Sequence, residues 1–448
     1  MNRISARRIG IGALAILAII VIAYLVTVLF GGIGGDRTAT IGQPVDPALV
    51  RRGAYVATLS DCAACHTAPG GQSFAGGLPI ATPIGKVFTT NITPDRATGI
   101  GAYSYGDFER AVRRGIRPDG SSLYPAMPFP AYAHLTDADT KALYAWFMHG
   151  VKPVAQSDKA PAIHWPLSMR WPLTYWRWLF APGVRQLGMP GSADPQLARG
   201  AYLVEGPGHC GSCHTPRGIA LESKAYVQQD GPAFLSGGVV DGYVASNLRG
   251  DPRTGLGSWS EQDIVNFLKT GHNRHSAVFG GMSDVVVHST QRMTDADLKA
   301  IARFLKSLPG NRDETPFAPD RKETAALGNL DVSKPGALDY MNSCAACHLS
   351  SGKGYDETFP ALAGNSAVVA HDPASLIHII LTGSTRPSTA KAPTDFAMPG
   401  FSDRLTDSEV AAIATFVRSS WGNRASGVSA SDVTKTRRHL SLSSTLRK

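Results

Sequence analysis

The pentapeptide Cys-x-x-Cys-His occurs three times in this chain of 448 residues, at positions 62–66, 210–214 and 344–348. This pattern is the attachment signature of c-type haem. The two thiols form thioether bonds to the haem vinyl groups, and the adjacent imidazole becomes the proximal iron ligand. A porphyrin bonded to the chain also becomes part of its core, so the pattern constrains both fold and function. The predicted haem-binding residues are Cys62, Cys65, His66, Cys210, Cys213, His214, Cys344, Cys347 and His348.

The use of cysteine excludes the competing readings of this pattern. All six cysteines of the chain lie in the three motifs, so none remains for a disulfide or a lone nucleophile. A zinc site needs two Cys-x-x-Cys pairs about 15–20 residues apart, and these pairs are much further apart. A thioredoxin-like motif would not recur three times with histidine always next. We therefore predict three covalently attached haem c groups.

Each haem iron also needs a distal ligand, and methionine sulfur suits this role and raises the reduction potential. Each unit has one methionine next to a proline or glycine, shortly before its last helix. These residues are Met127, Met282 and Met398. We predict these three as distal ligands. For the second iron the alternatives are His272, His275 and Met293, of which Met293 fits core packing better.

Sequence repeats indicate duplicated helical units. Arg-Gly-Ala-Tyr occurs at 52–55 and 199–202 in a helix that leads into a haem motif, and the third unit has a looser version. A helix with threonine as N-cap and an acidic residue three positions later is predicted to close each unit, after Thr136, Thr294 and Thr406. The predicted fold is mainly α, with three tandem cytochrome c domains behind an N-terminal transmembrane helix.

Residues 9–30 contain no charged side chain, and about 20 apolar residues can span a bilayer as a helix. We expect a membrane anchor rather than a cleaved signal, which has a shorter apolar core. The flanking arginines would stay in the cytoplasm, which places the haem domains on the periplasmic side of the bacterial inner membrane. The predicted divisions are 1–35 (stub and anchor, or signal), 45–152 (domain 1), 153–192 (Trp-rich connector), 193–310 (domain 2), 330–423 (domain 3) and 424–448 (basic tail).

The net charge of +9 is concentrated at the chain ends. Residues 1–35 carry +3 and residues 424–448 carry +5, which leaves the body close to neutral. A nucleic-acid-binding body is therefore excluded. The basic tail is expected to be disordered, or to wrap a partner or contact anionic lipid.

The connector holds four tryptophans, at 165, 171, 176 and 178. Packing between haem domains or docking on a partner subunit is the favoured role of these side chains. A place at the membrane interface near a quinone is the alternative.

Several segments resemble a known family. Tyr124-Pro125-Ala126-Met127-Pro128 is one, and others lie at 52–56, 90–95, 168–173, 206–210, 276–282, 362–365 and 398–401. On these segments the chain resembles the three-haem cytochrome c subunits of the membrane-bound alcohol, aldehyde and sugar-acid dehydrogenases of acetic acid bacteria and relatives.

The resemblance implies an electron-transfer subunit with no catalytic residues of its own for the organic substrate. It would receive electrons from a catalytic subunit of the molybdopterin, pyrroloquinoline quinone or flavin type, possibly with a small third subunit, and pass them to ubiquinone at the membrane. The implied axial pairs are His66 with Met127, His214 with Met282, and His348 with Met398. The expected anchor favours an aldehyde dehydrogenase over an alcohol dehydrogenase as partner. A multi-haem peroxidase-like enzyme and a haem subunit of a terminal oxidase are the alternative functions.

Overall fold

The computed structural model describes residues 3–30, 45–185, 193–356 and 358–447. Helices dominate these residues, and short antiparallel strands join some of them. The helices are α1 (Arg3–Phe30), α2 (Pro47–Leu59), α3 (Cys62–His66), α4 (Tyr105–Arg114), α5 (Phe129–Tyr132), α6 (Asp137–His149), α7 (Trp171–Phe180), α8 (Pro195–Glu205), α9 (Gly211–His214), α10 (Glu261–Thr270), α11 (Gly281–His288), α12 (Asp295–Ser307), α13 (Lys322–Gly328), α14 (Ala337–Ser343), α15 (Ala345–His348), α16 (Ala374–Thr382), α17 (Asp407–Ser419) and α18 (Ala430–Arg447). The strands are β1 (Pro79–Thr82), β2 (Gly85–Phe88), β3 (Ala162–Ile163), β4 (Gly238–Val240), β5 (Tyr243–Ala245), β6 (Ser384–Arg386) and β7 (Phe396–Met398).

Capping residues fix the starts of the main helices, as the sequence predicts. Asp46 accepts a hydrogen bond from the backbone N–H of Ala48 at 2.8 Å, with Pro47 in the first turn of α2. The closing helices α6, α12 and α17 each begin after a threonine whose hydroxyl accepts from the backbone N–H of the acidic residue three positions later. These bonds satisfy amide groups that have no partner within the helix. The predicted closing helices are therefore confirmed.

The predicted domains 45–152, 193–310 and 330–423 are called units 1, 2 and 3 below. Units 1 and 2 pair through the repeated Arg-Gly-Ala-Tyr segment. In unit 1, Arg52 contacts Asp139 of its own closing helix at 2.8 Å. The Tyr202 hydroxyl of unit 2 donates to the same Asp139 carboxylate at 2.5 Å. In this way a tyrosine from one unit completes the ion pair of the other.

The same arrangement recurs with the two units exchanged. Arg199 donates to both carboxylate oxygens of Asp297, at 2.8 and 2.9 Å, and the Tyr55 hydroxyl donates to Asp297 at 2.7 Å. The contacts are therefore reciprocal, as expected for a duplicated pair related by approximate two-fold symmetry.

The glycine of the repeat permits close helix packing. A Cβ atom on Gly53 would lie 1.9 Å from the carbonyl oxygen of Ala142, and one on Gly200 would lie 2.0 Å from that of Ala300. Only glycine lets α2 approach α6, and α8 approach α12, this closely.

The third unit has its own hydrophobic core, which is formed around α14, α16 and α17. The repeat glycine is kept, since a Cβ atom on Gly336 would lie 2.3 Å from the Ala412 carbonyl oxygen. The tyrosine position is instead occupied by Leu338, whose side chain is exposed. The looser repeat in the sequence therefore corresponds to the loss of the reciprocal contact.

The basic tail, expected to be disordered or else to wrap a partner or contact anionic lipid, is helical over Ala430–Arg447. It forms α18, which packs against α17, and Arg437 donates to Asp407 at 2.6 Å. The same guanidinium donates to the carbonyl oxygens of Ser402 and Leu405, at 2.7 and 2.6 Å.

The Trp-rich helix α7 packs between the first two units, as favoured above. The Trp176 indole N–H donates to the Ala220 carbonyl oxygen of unit 2 at 2.7 Å, and its ring meets Phe129 of unit 1 edge to face. Trp165 and Trp178 on the same connector remain exposed.

The predicted fold class needs correction because three small sheets accompany the helices. β1, β2 and β3 form one sheet, and β4–β5 and β6–β7 form two hairpins. In the β4–β5 hairpin the turn residues Asp241 and Gly242 both have positive φ, 51° and 78°. Asp-Gly between alternating apolar residues is a strong hairpin signal, so the sequence did contain the information for this strand pair.

The predicted transmembrane anchor is wrong. Among the residues that the structure describes, no helix is long and apolar enough to cross a membrane. The prediction rested on twenty-two uncharged, mostly apolar residues at 9–30, a length that can span a bilayer as a helix. The location in the bacterial inner membrane with periplasmic haem domains, which was drawn from that anchor, is overturned with it.

Candidate haem-binding sites

The three motif histidines share one hydrogen-bonding arrangement. The Nδ1–H of His66 donates to the Thr90 carbonyl oxygen at 2.7 Å. His214 donates in the same way to Ser246 at 2.6 Å, and His348 to Pro360 at 3.0 Å. A carbonyl oxygen can only accept, so the proton lies on Nδ1 and the Nε2 lone pair is left for a metal. A hydrogen bond of this kind orients a ligating imidazole.

Electrostatics favour the ligating form of these side chains. Desolvation lowers the pKa of His66, His214 and His348, although the bond to the backbone carbonyl acts in the opposite direction. The imidazoles are therefore neutral at physiological pH, as iron binding requires. Burial raises the pKa of the Cys344 thiol to about 12. None of the six cysteines forms a disulfide.

The third motif lies at an apolar cavity. Cys344, His348 and Met398 all line it, which brings together a thiol, the proximal imidazole and the predicted distal sulfur. The rest of the wall is largely aliphatic, with Leu376, Ile380, Ile413 and Val417 among the lining residues. A cavity with these walls and these three donors fits a haem group.

The second unit also contributes to this third cavity. Ser276, Ala277 and Phe279 line it, although they precede the predicted distal Met282 of their own unit. Phe279 is tilted against Tyr243, and Tyr243 stacks on His378 of α16 with ring centroids 3.8 Å apart. The sequence offered no signal for this contribution, because the residues belong to a different repeat.

The predicted distal ligands of the other two sites lie in different local structures. Met127 is half-buried on the loop before α5 and packs against the core that the first two units share. Met282 is in the first turn of α11, which packs against α3 of unit 1. Their role as iron ligands stays a prediction. Met293, the alternative, is 3% exposed within the core, as core packing requires.

The first two motifs meet at an interface that sequence reasoning missed. The Tyr132 hydroxyl donates to the Ser60 carbonyl oxygen at 2.7 Å, and its ring meets His209 edge to face with centroids 5.7 Å apart. Asp61, directly before Cys62, is buried there. Asp61 and His209 occupy the same position relative to their motifs, and both have positive φ. Neither residue repeats in identity, so comparison of the repeats could not reveal them.

Comparison with known proteins identifies the chemistry. Residues 333–421 match the cytochrome c family, which implies covalently attached haem c. The chain is 54% identical over 397 residues to the cytochrome c subunit of the quinone alcohol dehydrogenase of Gluconacetobacter polyoxogenes, covering 88% of this chain and 85% of the relative. It is 53% identical over 406 residues to the cytochrome c subunit of gluconate 2-dehydrogenase of Pantoea cypripedii, covering 89% and 92%. The fructose dehydrogenase cytochrome subunit of Gluconobacter japonicus is 36% identical over 423 residues, covering 88% and 85%.

The family match also corrects the predicted domain content. Three tandem cytochrome c domains were expected, but the match finds one, around the third motif. The third unit has its own core, whereas the first two share a single core and complete each other's ion pairs. Two units built as a pair differ in pattern from a free-standing cytochrome c domain.

Proposed function

Since this chain belongs to the cytochrome c subunits of quinone-dependent dehydrogenases, we propose that it carries three haem c groups and relays electrons from a catalytic dehydrogenase subunit to ubiquinone. Bound haem supplies an iron that alternates between ferric and ferrous states. The protein supplies the thiols, the oriented imidazoles and the apolar surroundings that set each potential. The main support for three haems is the same Nδ1–H to carbonyl hydrogen bond at His66, His214 and His348.

The contacts between units support an electron relay. The first and second motifs approach each other near Tyr132 and His209. Residues of unit 2, among them Phe279, line the cavity of the third motif. Unit 2 would therefore hold the central haem, with a neighbouring haem on each side. Such an arrangement lets electrons pass through the subunit without a mobile carrier.

The catalytic partner is proposed from the named relatives. Two of them are cytochrome c subunits of an alcohol and a gluconate dehydrogenase, at nearly equal identity to this chain, 54% and 53%. We therefore propose a partner that oxidises an alcohol or a sugar acid, with a cofactor of the molybdopterin, pyrroloquinoline quinone or flavin type. The preference for an aldehyde dehydrogenase no longer holds, because it depended on the predicted anchor.

The test combines haem counting with identification of the partner. The full-length chain, purified with its partner, is expected to give three haem equivalents in a pyridine haemochrome assay. Changing Cys344 and Cys347 together to alanine should leave two. Mass spectrometry of the co-purifying large subunit identifies the dehydrogenase. Fewer than three equivalents, or a partner without dehydrogenase activity, would contradict the proposal.

A further inference from the structure

Asp61 is a buried acid for which electron transfer as described so far gives no role. The residue is 8% exposed, and its Oδ1 atom is buried without a hydrogen-bond partner in the described structure. It occupies the N-cap position of α3, where an aspartate normally accepts a backbone hydrogen bond. Its side chain makes no such bond. One oxygen of the carboxyl group is therefore held out of water without a partner that would stabilise a negative charge on it.

The backbone at Asp61 shows that this placement has a cost. Its φ is 50°, in the left-handed region that non-glycine residues rarely adopt. His209, at the equivalent position of unit 2, is also left-handed, with φ 37°. Strained residues of this kind persist where the surrounding structure requires them, and they concentrate at functional sites.

The carboxyl group lies between the first two haem motifs. It interacts electrostatically with the thiols of Cys62 and Cys65 in its own motif and with that of Cys213 in the second. Once haem is attached these sulfurs are uncharged thioethers, so the nearby centres that change charge are the two haems.

The other titratable or charged groups around it come from each neighbouring element. They are Asp284 on α11, Arg292 in the short helix after it, Tyr132 on α5, and His209. Burial and, to a smaller extent, the charge of Asp284 raise the pKa of Asp61 to about 8, while Arg292 acts in the opposite direction. Asp284 and Arg292 are both exposed, and of the two only the Asp284 carboxyl group can exchange protons with solvent, because arginine stays protonated.

We propose that Asp61 is a proton-accepting residue that couples proton uptake to reduction of the first two haems. The inference rests on the proposed attachment of haem at both motifs. When an electron from the catalytic subunit reduces either iron from ferric to ferrous, one positive charge beside the carboxylate is lost. The Asp61 carboxylate then takes a proton from water to form a carboxylic acid, and it releases that proton when the iron is reoxidised.

This coupling suits the final acceptor. Reduction of a quinone consumes two protons with two electrons, whereas haem iron carries electrons alone. When the carboxyl group takes up a proton as a haem is reduced, the net charge around the two haems changes little during turnover. This lowers the electrostatic cost of holding a second electron nearby.

The experiment is a spectroelectrochemical titration of the haem-loaded complex at pH values on both sides of the Asp61 pKa of about 8. Full coupling of one proton to one electron changes the reduction equilibrium tenfold per pH unit, about 59 mV. We expect two of the three potentials to fall as pH rises, by up to that slope. In Asp61→Asn the pH dependence of both potentials should become weaker. The potential of the third haem should keep its pH dependence. Met398→His identifies that haem, because its potential changes in this variant.

Three controls separate the possible outcomes. Haem propionates titrate in both proteins, so the difference between wild type and variant reports Asp61. Asp284→Asn removes the neighbouring exposed acid and should leave most of the slope, and Asp61→Glu should retain it. Haem content measured on the same samples shows whether the proposed function, rather than this inference, has failed.

An infrared measurement on the wild-type complex covers the case in which Asp61→Asn fails to fold. The reduced-minus-oxidised difference spectrum should contain a carboxylic acid carbonyl band that shifts in D₂O. Slopes that are identical in wild type and Asp61→Asn, or a wild-type difference spectrum without that band, would overturn the inference.

Discussion

At the residue scale, the roles of chemically identical side chains differ with their surroundings. Met398 lines the cavity of the third motif together with His348, whereas Met293 is buried among the side chains of the core. A thioether can serve as an iron ligand or as core filler, and only its position decides which.

The two methionines give a matched test of distal ligation. Replacing Met398 with histidine should lower one haem potential by on the order of 0.1 V, within the roughly 0.8 V range that axial ligands span. The near-infrared methionine–iron band of that haem should disappear. Met293→Leu should leave all potentials unchanged and cost less than about 1.5 kcal/mol of stability. Unchanged spectra in Met398→His would remove Met398 from the iron.

Asp297 predicts the direction of one pH effect on stability. Burial acts to raise its pKa, but the hydrogen bonds from Arg199 and Tyr55 outweigh this and hold the pKa below its ordinary value. The folded state therefore gains stability from this carboxylate above about pH 4, the ordinary aspartate pKa. That stability is lost as pH falls through the lower folded pKa.

We expect urea unfolding to show a decrease in stability between pH 6 and pH 3 that is smaller in Asp297→Asn than in wild type. The variant should already be less stable at pH 6, because Arg199 and Tyr55 lose a charged acceptor. An equal pH dependence in both proteins would show that the carboxylate contributes nothing to the pairing of units 1 and 2.

At the scale of elements, contacts between helices explain why the same residues occur in the repeats of units 1 and 2. The glycines at 53 and 200 lie where two helices touch through backbone atoms, and the arginine and tyrosine beside them make the ion pair and the crossing hydrogen bond. The residues of the Arg-Gly-Ala-Tyr repeat therefore act together: the glycine lets the helices touch, the arginine forms the ion pair, and the tyrosine donates the crossing hydrogen bond.

Gly200→Ala tests this packing. The added methyl group would lie 2.0 Å from the Ala300 carbonyl oxygen, so α8 must move away from α12. We expect a loss of about 1–3 kcal/mol, typical of overpacking, measured by chemical denaturation. Gly328→Ala is the control: nothing lies within 4 Å of its Cβ position in α13, and alanine should be neutral or stabilise by up to about 1 kcal/mol. Equal effects at both positions would contradict the packing argument.

At the scale of the whole molecule, α18 extends contacts of the third unit towards the other two. It packs on α16 and α17, and it also approaches β1 of unit 1. Its His439 lies close to Gly242 in the turn of the β4–β5 hairpin of unit 2. The basic tail therefore lies against residues of all three units.

Arg437 should account for a measurable part of this attachment. Arg437→Ala removes the hydrogen bonds to Asp407, Ser402 and Leu405, at an expected cost of about 1–2 kcal/mol because the pair is only partly buried. The neighbouring Arg438 is exposed, and its change to alanine should cost less than about 0.5 kcal/mol. Hydrogen exchange should also become faster in α18 of Arg437→Ala only. Identical exchange in the two variants would show that these bonds do not hold the helix.

The sequence by itself determined the features that depend on neighbouring residues. The haem chemistry follows from thiols and imidazole within five positions, and the closing helices follow from a threonine and an acid three residues apart. The Asp241-Gly242 turn is an equally local signal for the β4–β5 hairpin, but the prediction of a mainly helical fold did not include it.

Only the tertiary structure decided the contacts between distant parts of the chain. The crossing of Tyr55 and Tyr202, the wall that Phe279 adds to the third cavity, and the burial of Asp61 each join residues from different units. No local pattern encodes such contacts, since they depend on how whole units pack.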